Sequence, residues 1–221
     1  MHSDGHIKAE KLRIGNQEWT TYAIGGTPAQ AVLHAIMEIL PEKPDLVVSG
    51  INYGENVGHS ITISGTVMAA FEAASNGIKA MAVSLELPED YHFGYSTKVD
   101  FSTAAFFTSK FAKILLEEEM PYDVDMLKID VPLSATPYTD WRMTRVARHR
   151  YFKPTLKRAG GWGEQGSVGY TLDLSLGDLT TDSDIYTLAH DKLVSVTPLS
   201  LDMTSRVDLR AFENKIRGNN K

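Results

Sequence analysis

The run Leu46-Val47-Val48-Ser49-Gly50-Ile51-Asn52-Tyr53-Gly54-Glu55-Asn56-Val57-Gly58, followed at a short distance by Ser64-Gly65-Thr66-Val67, decides how this chain folds. It begins with three apolar residues behind Pro44-Asp45, the pattern of a strand buried on both faces, and such strands belong to parallel sheets. Glycines then dominate from Ser49 to Gly58. Ser64 is a good N-cap for a helix that carries Val67, Ala70, Phe71 and Ala74 until Asn76-Gly77 ends it. Ala80 to Leu85 is the returning strand. Strand, glycine loop, helix and strand make a right-handed βαβ unit, so the expected fold is α/β: a three-layer α/β/α, Rossmann-like domain around a mostly parallel sheet.

Upstream, Lys8 to Ile14 and Trp19 to Ile24 flank Gly15-Asn16 and predict a hairpin. Thr27 caps and Pro28 opens a helix whose apolar face is Val32, Leu33, Ile36, Ile39 and Leu40, with Pro41 as its stop. Downstream, Phe101 to Glu119 has helical spacing and ends in a solvated Glu117-Glu118-Glu119 tip, while Leu127 to Val131 is another buried strand. From Arg142 to Tyr170, aromatic and basic residues around Gly160-Gly161 predict a long β-hairpin arm. Leu193 to Thr197 is a late strand, and Ser205 to Ile216 an amphipathic C-terminal helix that packs in its own subunit or across a dimer. The expected division is one domain over 1–205, with 142–190 as an oligomerisation arm, then a terminal helix and tail over 206–221.

The 221 residues, 43% of them hydrophobic, suit one domain with a real core. There is no cysteine, which excludes a disulfide framework, a thiolate zinc site and a cysteine nucleophile. A formal charge of −6 argues against nucleic-acid binding, which needs a basic face. No run approaches the roughly 20 apolar residues of a membrane span, and Met1-His2-Ser3-Asp4-Gly5 lacks the features of a signal peptide; the expectation is cytoplasmic.

In open parallel sheets, ligands bind beyond the carboxyl ends of strands, where Asn52 stands. Glycines let backbone amides approach an anion, and the helix opened by Ser64 adds free N–H groups and a partial positive charge, so phosphate is the natural guest. An Asn oxygen also suits a hard divalent cation. The plainer alternative is that the glycines only make a tight strand-to-helix connection; no Gly-Lys-Ser/Thr follows, so this is not a P-loop.

This stretch resembles the signature of the SurE survival-protein (nucleotidase) family, Ser-Gly-Ile-Asn-x-Gly-x-Asn-x-Gly leading to Ser-Gly-Thr-Val-x-Ala-Ala. Gly26-Thr27-Pro28-Ala29, Ile129-Asp130-Val131-Pro132 and Val194-Ser195-Val196-Thr197-Pro198-Leu199 with Asp202 and Thr204 resemble three further family motifs in the same order. The resemblance implies a divalent-metal-dependent phosphomonoesterase acting on nucleoside 5′- or 3′-monophosphates, with one Mg2+ or Mn2+ per subunit and a homodimeric or homotetrameric assembly. It makes Asn52 a metal ligand, Ser64, Gly65 and Thr66 catalytic hydrogen-bond donors to the phosphate, and Ser49, Gly50, Gly54, Asn56 and Gly58 the substrate-binding loop.

The family's Asn-Asp-Asp-Gly metal motif is not found, and the sequence has no adjacent Asp pair; Ser3-Asp4-Gly5 is a superficial echo. The expectation is an N-terminally truncated chain whose first strand is missing and whose apolar surface is left uncovered. A natural variant that lost catalysis is the competing explanation. The alternative function is therefore an inactive nucleotide- or phosphate-binding module, or an oligomeric scaffold. Gln30, Asp130 and Arg206 replace the family's more usual Asp, Asn and His. His59 reads as an exposed loop residue or a general acid. Asp178, Asp182 and Asp184 read as structural or solvated rather than a calcium loop, and Tyr151, Phe152 and Trp162 among Arg148, Arg150 and Lys153 as a subunit-contact arm or a base-stacking platform.

Overall fold

A computed structural model describes residues 5–88, 91, 96, 98–173, 175, 177 and 179–218. The strands are β1 (Ile7–Ile14), β2 (Gln17–Ile24), β3 (Leu46–Tyr53), β4 (Lys79–Leu85), β5 (Met126–Val131), β6 (Trp141–Met143), β7 (Phe152–Arg158), β8 (Gly166–Leu172) and β9 (Val194–Leu199). The helices are α1 (Pro28–His34), α2 (Gly65–Ser75), α3 (Ser102–Glu117) and α4 (Leu209–Ile216). The central sheet runs β3-β4-β5-β9-β6, and only β5 and β9 pair antiparallel, so the sheet is mostly parallel as expected.

Period-2 alternation in β4 and β5 splits the core between two helical layers. Ala80, Ala82 and Met126 lie beneath Val67, Ala70, Ala73 and Ala74 of α2. Met81, Val83, Leu85, Leu127, Ile129 and Val131 face Phe107, Phe111 and Leu115 of α3 on the other side. Phe107 and Phe111 are fully buried, and truncating either to Ala costs about 3–5 kcal/mol. Toward the carboxyl end of the strands the α2 side turns polar. Ser84, Asp130 and Ser195 share one register level and Lys128 and Thr197 another, all buried. The loop after β3 reaches Ser84 and Asp130, while Thr144 Oγ1 meets Ser195 and Thr197.

α1 opens with a capping box: Gln30 N donates to Thr27 Oγ1 at 3.2 Å and Thr27 N to Gln30 Oε1 at 2.9 Å. Gln30 therefore closes the helix start with its own side chain. A π turn, Ala35–Ile39, carries the helical path to Leu40. Strand β1 pairs with β2 across Gly15-Asn16.

Three expectations shift. β3 extends through Tyr53, where glycines and polar residues read as loop, because backbone pairing with β4 continues past a bulge. Residues 141–143 join the central sheet as β6, so the projecting hairpin of β7 and β8 starts only at Phe152. The terminal helix begins after Asp208, whose carboxylate accepts from Ala211 N at 3.0 Å, instead of at Ser205, and buries none of its residues. β3 is one of the two outer strands of the described sheet; Val48 is 41% exposed, and Leu33, Met37 and Leu40 on the preceding helical segment are exposed too.

Candidate functional site

A bulge in β3 sets the direction of Asn52. Ser49 pairs with Ala82 and Asn52 with Ser84, so three steps along β3 match two along β4. One extra residue inverts the alternation. Ile51 and Tyr53 therefore pack with the α3 layer, and Asn52 turns to the α2 side beside Ser84. Gly50 makes this possible: its φ is 110°, and a Cβ there would lie 2.3 Å from the Val83 carbonyl oxygen.

On that side Asn52 meets the start of α2. Thr66 Oγ1 donates to Asn52 Oδ1 at 3.1 Å, while Asn52 Nδ2 donates to the carbonyls of Gly54 at 2.8 Å and Tyr53 at 3.1 Å. Ser64 Oγ caps the helix by accepting from Val67 N at 3.2 Å. Gly65 and Thr66 open the first turn, where no intrahelical acceptor precedes their N–H groups. Gly65 is exposed; Ser64, Thr66, Ser49 and Asn52 are half-buried. The Asn52 turn and the α2 tip thus stand together as one polar cradle.

The rest of the glycine loop faces inward. Gly54 N donates to the Leu85 carbonyl at 2.9 Å. Asn56 N donates to Asp130 Oδ1 at 2.7 Å and Asn56 Nδ2 to Ser84 Oγ at 2.7 Å. Gly58 N, at a φ of 56°, donates to Asp184 Oδ2 at 3.0 Å. Asp184 Oδ1 also accepts from Ala147 N at 2.9 Å and Ile185 N at 2.8 Å. Between the two carboxylates sits Lys128, its Nζ 2.5 Å from Asp130 and 3.3 Å from Asp184, and all three side chains are fully buried. Burial pulls the Lys128 ammonium down, but the two carboxylates outweigh it and hold the proton on. The amides of Asn56 and Gly58 are thus engaged by protein carboxylates, and the donors open to an anion come from the α2 tip.

Sequence reasoning did not single out Ser84, Lys128 or Glu55. Glu55, 3% exposed, has its carboxyl pushed up to about 7, first by burial and then by the charges of Glu86 and Asp130. Burial and the neighbouring Glu55 likewise push the Tyr151 hydroxyl up. Asp184 is buried, which corrects the solvated option, whereas Asp182 makes an exposed ion pair with Arg145 at 3.1 Å. Asp178, His2, Ser3, Asp4 and His92 lie outside the described residues. His59 is exposed, with its N–H on the His149 carbonyl.

The three aromatics are not one platform. Tyr151 is buried edge-on against Phe152, which meets Tyr170, while Trp162 is 98% exposed. A cavity of about 1170 Å³ lies between α2 and the Thr144–His149 segment, lined by Met68, Phe71, Arg145, Arg148 and His149 among others. Asn52, Ser64 and Thr66 are not in its wall, which carries Arg145, Arg148, His149 and Arg206 as its basic side chains.

Asn52 Oδ1 is an uncharged oxygen that keeps a lone pair beside its bond from Thr66. Among the described residues, no group of three His, Cys, Asp or Glu side chains is arranged to hold a metal ion. A magnesium-type cation takes about six oxygens with carboxylates among them, so these residues by themselves do not complete such a site.

The profile of the family described as survival protein SurE matches residues 2–153. The chain belongs to that family. A SurE relative from Thermococcus gammatolerans, named 5′-nucleotidase SurE, is 40% identical over 212 residues, which is 96% of this chain and 78% of the relative. The protein of the same name from Methanocaldococcus jannaschii is 39% identical, across 95% of this chain and 77% of its own length. A crystal structure of the SurE protein from Aquifex aeolicus superimposes with a TM-score of 0.68 at 26% identity, over 96% of this chain and 80% of that one. The matched SurE segment holds Asn52, the α2 tip, Lys128 and Asp130; Asp184 reaches the loop from beyond it.

Proposed function

We propose that this SurE chain is a hydrolase, a divalent-metal-dependent phosphomonoesterase acting on nucleoside 5′- or 3′-monophosphates. The observation that carries the reading is the bond from Thr66 to Asn52, which joins the glycine loop to a capped helix start. The name 5′-nucleotidase borne by the relatives supports the 5′ esters and the hydrolytic class.

In this reading the N–H groups of Gly65 and Thr66 and the hydroxyl of Ser64 hold the phosphoryl oxygens, while the Thr66 hydroxyl stays on Asn52 Oδ1 and keeps that side chain aimed. The positive end of α2 stabilises the charge that grows on them as the ester bond breaks. Ser49, Gly50, Gly54, Asn56 and Gly58 fix the loop that presents Asn52. A bound Mg2+ or Mn2+ would neutralise phosphate charge and lower the pKa of water, with Asn52 as the ligand contributed by the cradle. Metal dependence rests on family membership. Exposed Leu209, Phe212 and Ile216 on α4, together with the β7–β8 hairpin between Phe152 and Leu172, support a homodimer or homotetramer. The absence of cysteine suits the reducing cytoplasm.

The test is phosphate release from nucleoside 5′- and 3′-monophosphates with Mg2+ or Mn2+, comparing the unaltered chain with Asn52→Ala. Release that the substitution abolishes is the expected result. Binding without release, lost on the same substitution, puts an inactive phosphate-binding module in its place. No release together with phosphate affinity indifferent to Asn52 overturns the reading.

A further inference from the structure

We infer that Lys128, Asp130 and Asp184 are positioning residues for the phosphate cradle: one buried ammonium clamps two carboxylates, and each carboxylate holds one N–H of the loop that aims Asn52. The inference rests on the proposed reading of that cradle and assigns a role to groups that touch neither substrate nor metal.

Three segments far apart in sequence converge here. Lys128 and Asp130 are two apart on β5 and share a face, Asp184 comes from the segment after β8, and the loop amides are those of Asn56 and Gly58. Removing the clamp frees the loop at both points. The Gly54 carbonyl that Asn52 Nδ2 uses to keep Oδ1 turned to Thr66 is then held from the β4 side alone, by Gly54 N on the Leu85 carbonyl, two residues before the freed Asn56. The ammonium serves the geometry because two carboxylates buried side by side without it would repel each other and draw in water. Asp184 takes three backbone N–H groups besides the ammonium, so it is the anchored end, and Asp130 with its single loop amide is the end that sets Asn56.

Two double substitutions isolate the acceptor from the charge. Lys128→Met with Asp130→Asn, and Lys128→Met with Asp130→Ala, remove the same two charges and differ in whether an oxygen remains for Asn56 N–H. Inorganic phosphate affinity by calorimetry, amide exchange at Asn56 and Gly58, and the thermal midpoint are read on each full chain. The Asn pair should bind within about threefold of the unaltered chain and the Ala pair about tenfold more weakly, with faster exchange at Asn56. Equal exchange at Asn56 and equal affinity in the two pairs overturn the inference. Asp130→Asn alone leaves one ammonium facing one carboxylate and serves should the pairs fail to fold; it should keep affinity within about threefold, and a folded variant that loses tenfold overturns the inference. Failure of the unaltered chain to bind phosphate overturns the functional reading alone, since the exchange contrast at Asn56 is read without ligand.

Discussion

Thr66 and Asn52, 14 positions apart in sequence, are joined hydroxyl to amide oxygen at 3.1 Å. The bond ties the helix that offers N–H groups to the strand end that offers an oxygen, and it orients the Asn52 side chain about its last torsion. Thr66→Val keeps the shape and removes the donor. Phosphate affinity should fall about tenfold, while stability changes by no more than about 1 kcal/mol because the pair is half-buried. Thr66→Ser should bind like the unaltered chain. Calorimetry on the three proteins decides, and a Val variant that binds as well as the Ser variant removes the bond from the cradle.

Glu55 carries a pH dependence of stated sign. Its carboxyl titrates at about 7 in the folded chain against 4.5 when unfolded, chiefly because it is buried. The folded state therefore keeps the proton over a range where the unfolded state has lost it. The associated stability is whole below about pH 4.5 and is lost as pH rises through about 7, by at most about 3 kcal/mol. Glu55→Gln should flatten that slope and be the more stable protein at about pH 8. Denaturant titrations at several pH values read it directly; an unchanged slope assigns the dependence to another group.

Asp182 and Asp184 are neighbours in sequence and opposites in setting. Asp184→Ala leaves three backbone N–H groups without their acceptor in the interior and Lys128 with Asp130 as its remaining carboxylate, and should cost about 3–5 kcal/mol. Asp182→Ala breaks an exposed pair with Arg145 and should leave the thermal midpoint nearly where it was. Comparable losses in the two variants contradict the division.

The βαβ core was readable because its signals are local: an apolar run at Ala80–Leu85, a Ser64 cap, and a Gly77 at positive φ that ends the helix. The bulge was not, since Ser-Gly-Ile-Asn-Tyr has neither apolar continuity nor clean alternation, and only pairing with β4 makes it strand. Lys128 and Asp130 did leave a trace. Opposite charges two apart inside an otherwise apolar strand point to one face, and period 2 predicts that they meet. That Asp184 completes the group, 126 positions from Gly58, is a fact of topology which no local pattern carries.

The inward-facing amides of Asn56 and Gly58 leave the segment between them with no inexpensive second shape. To swing aside it would have to break both N–H bonds to buried carboxylates at once. Under the proposed function, recognition at this strand end is accordingly of the lock-and-key kind. The entropy of ordering the loop is met while the chain folds, and little of it is left to subtract from the affinity when a ligand arrives.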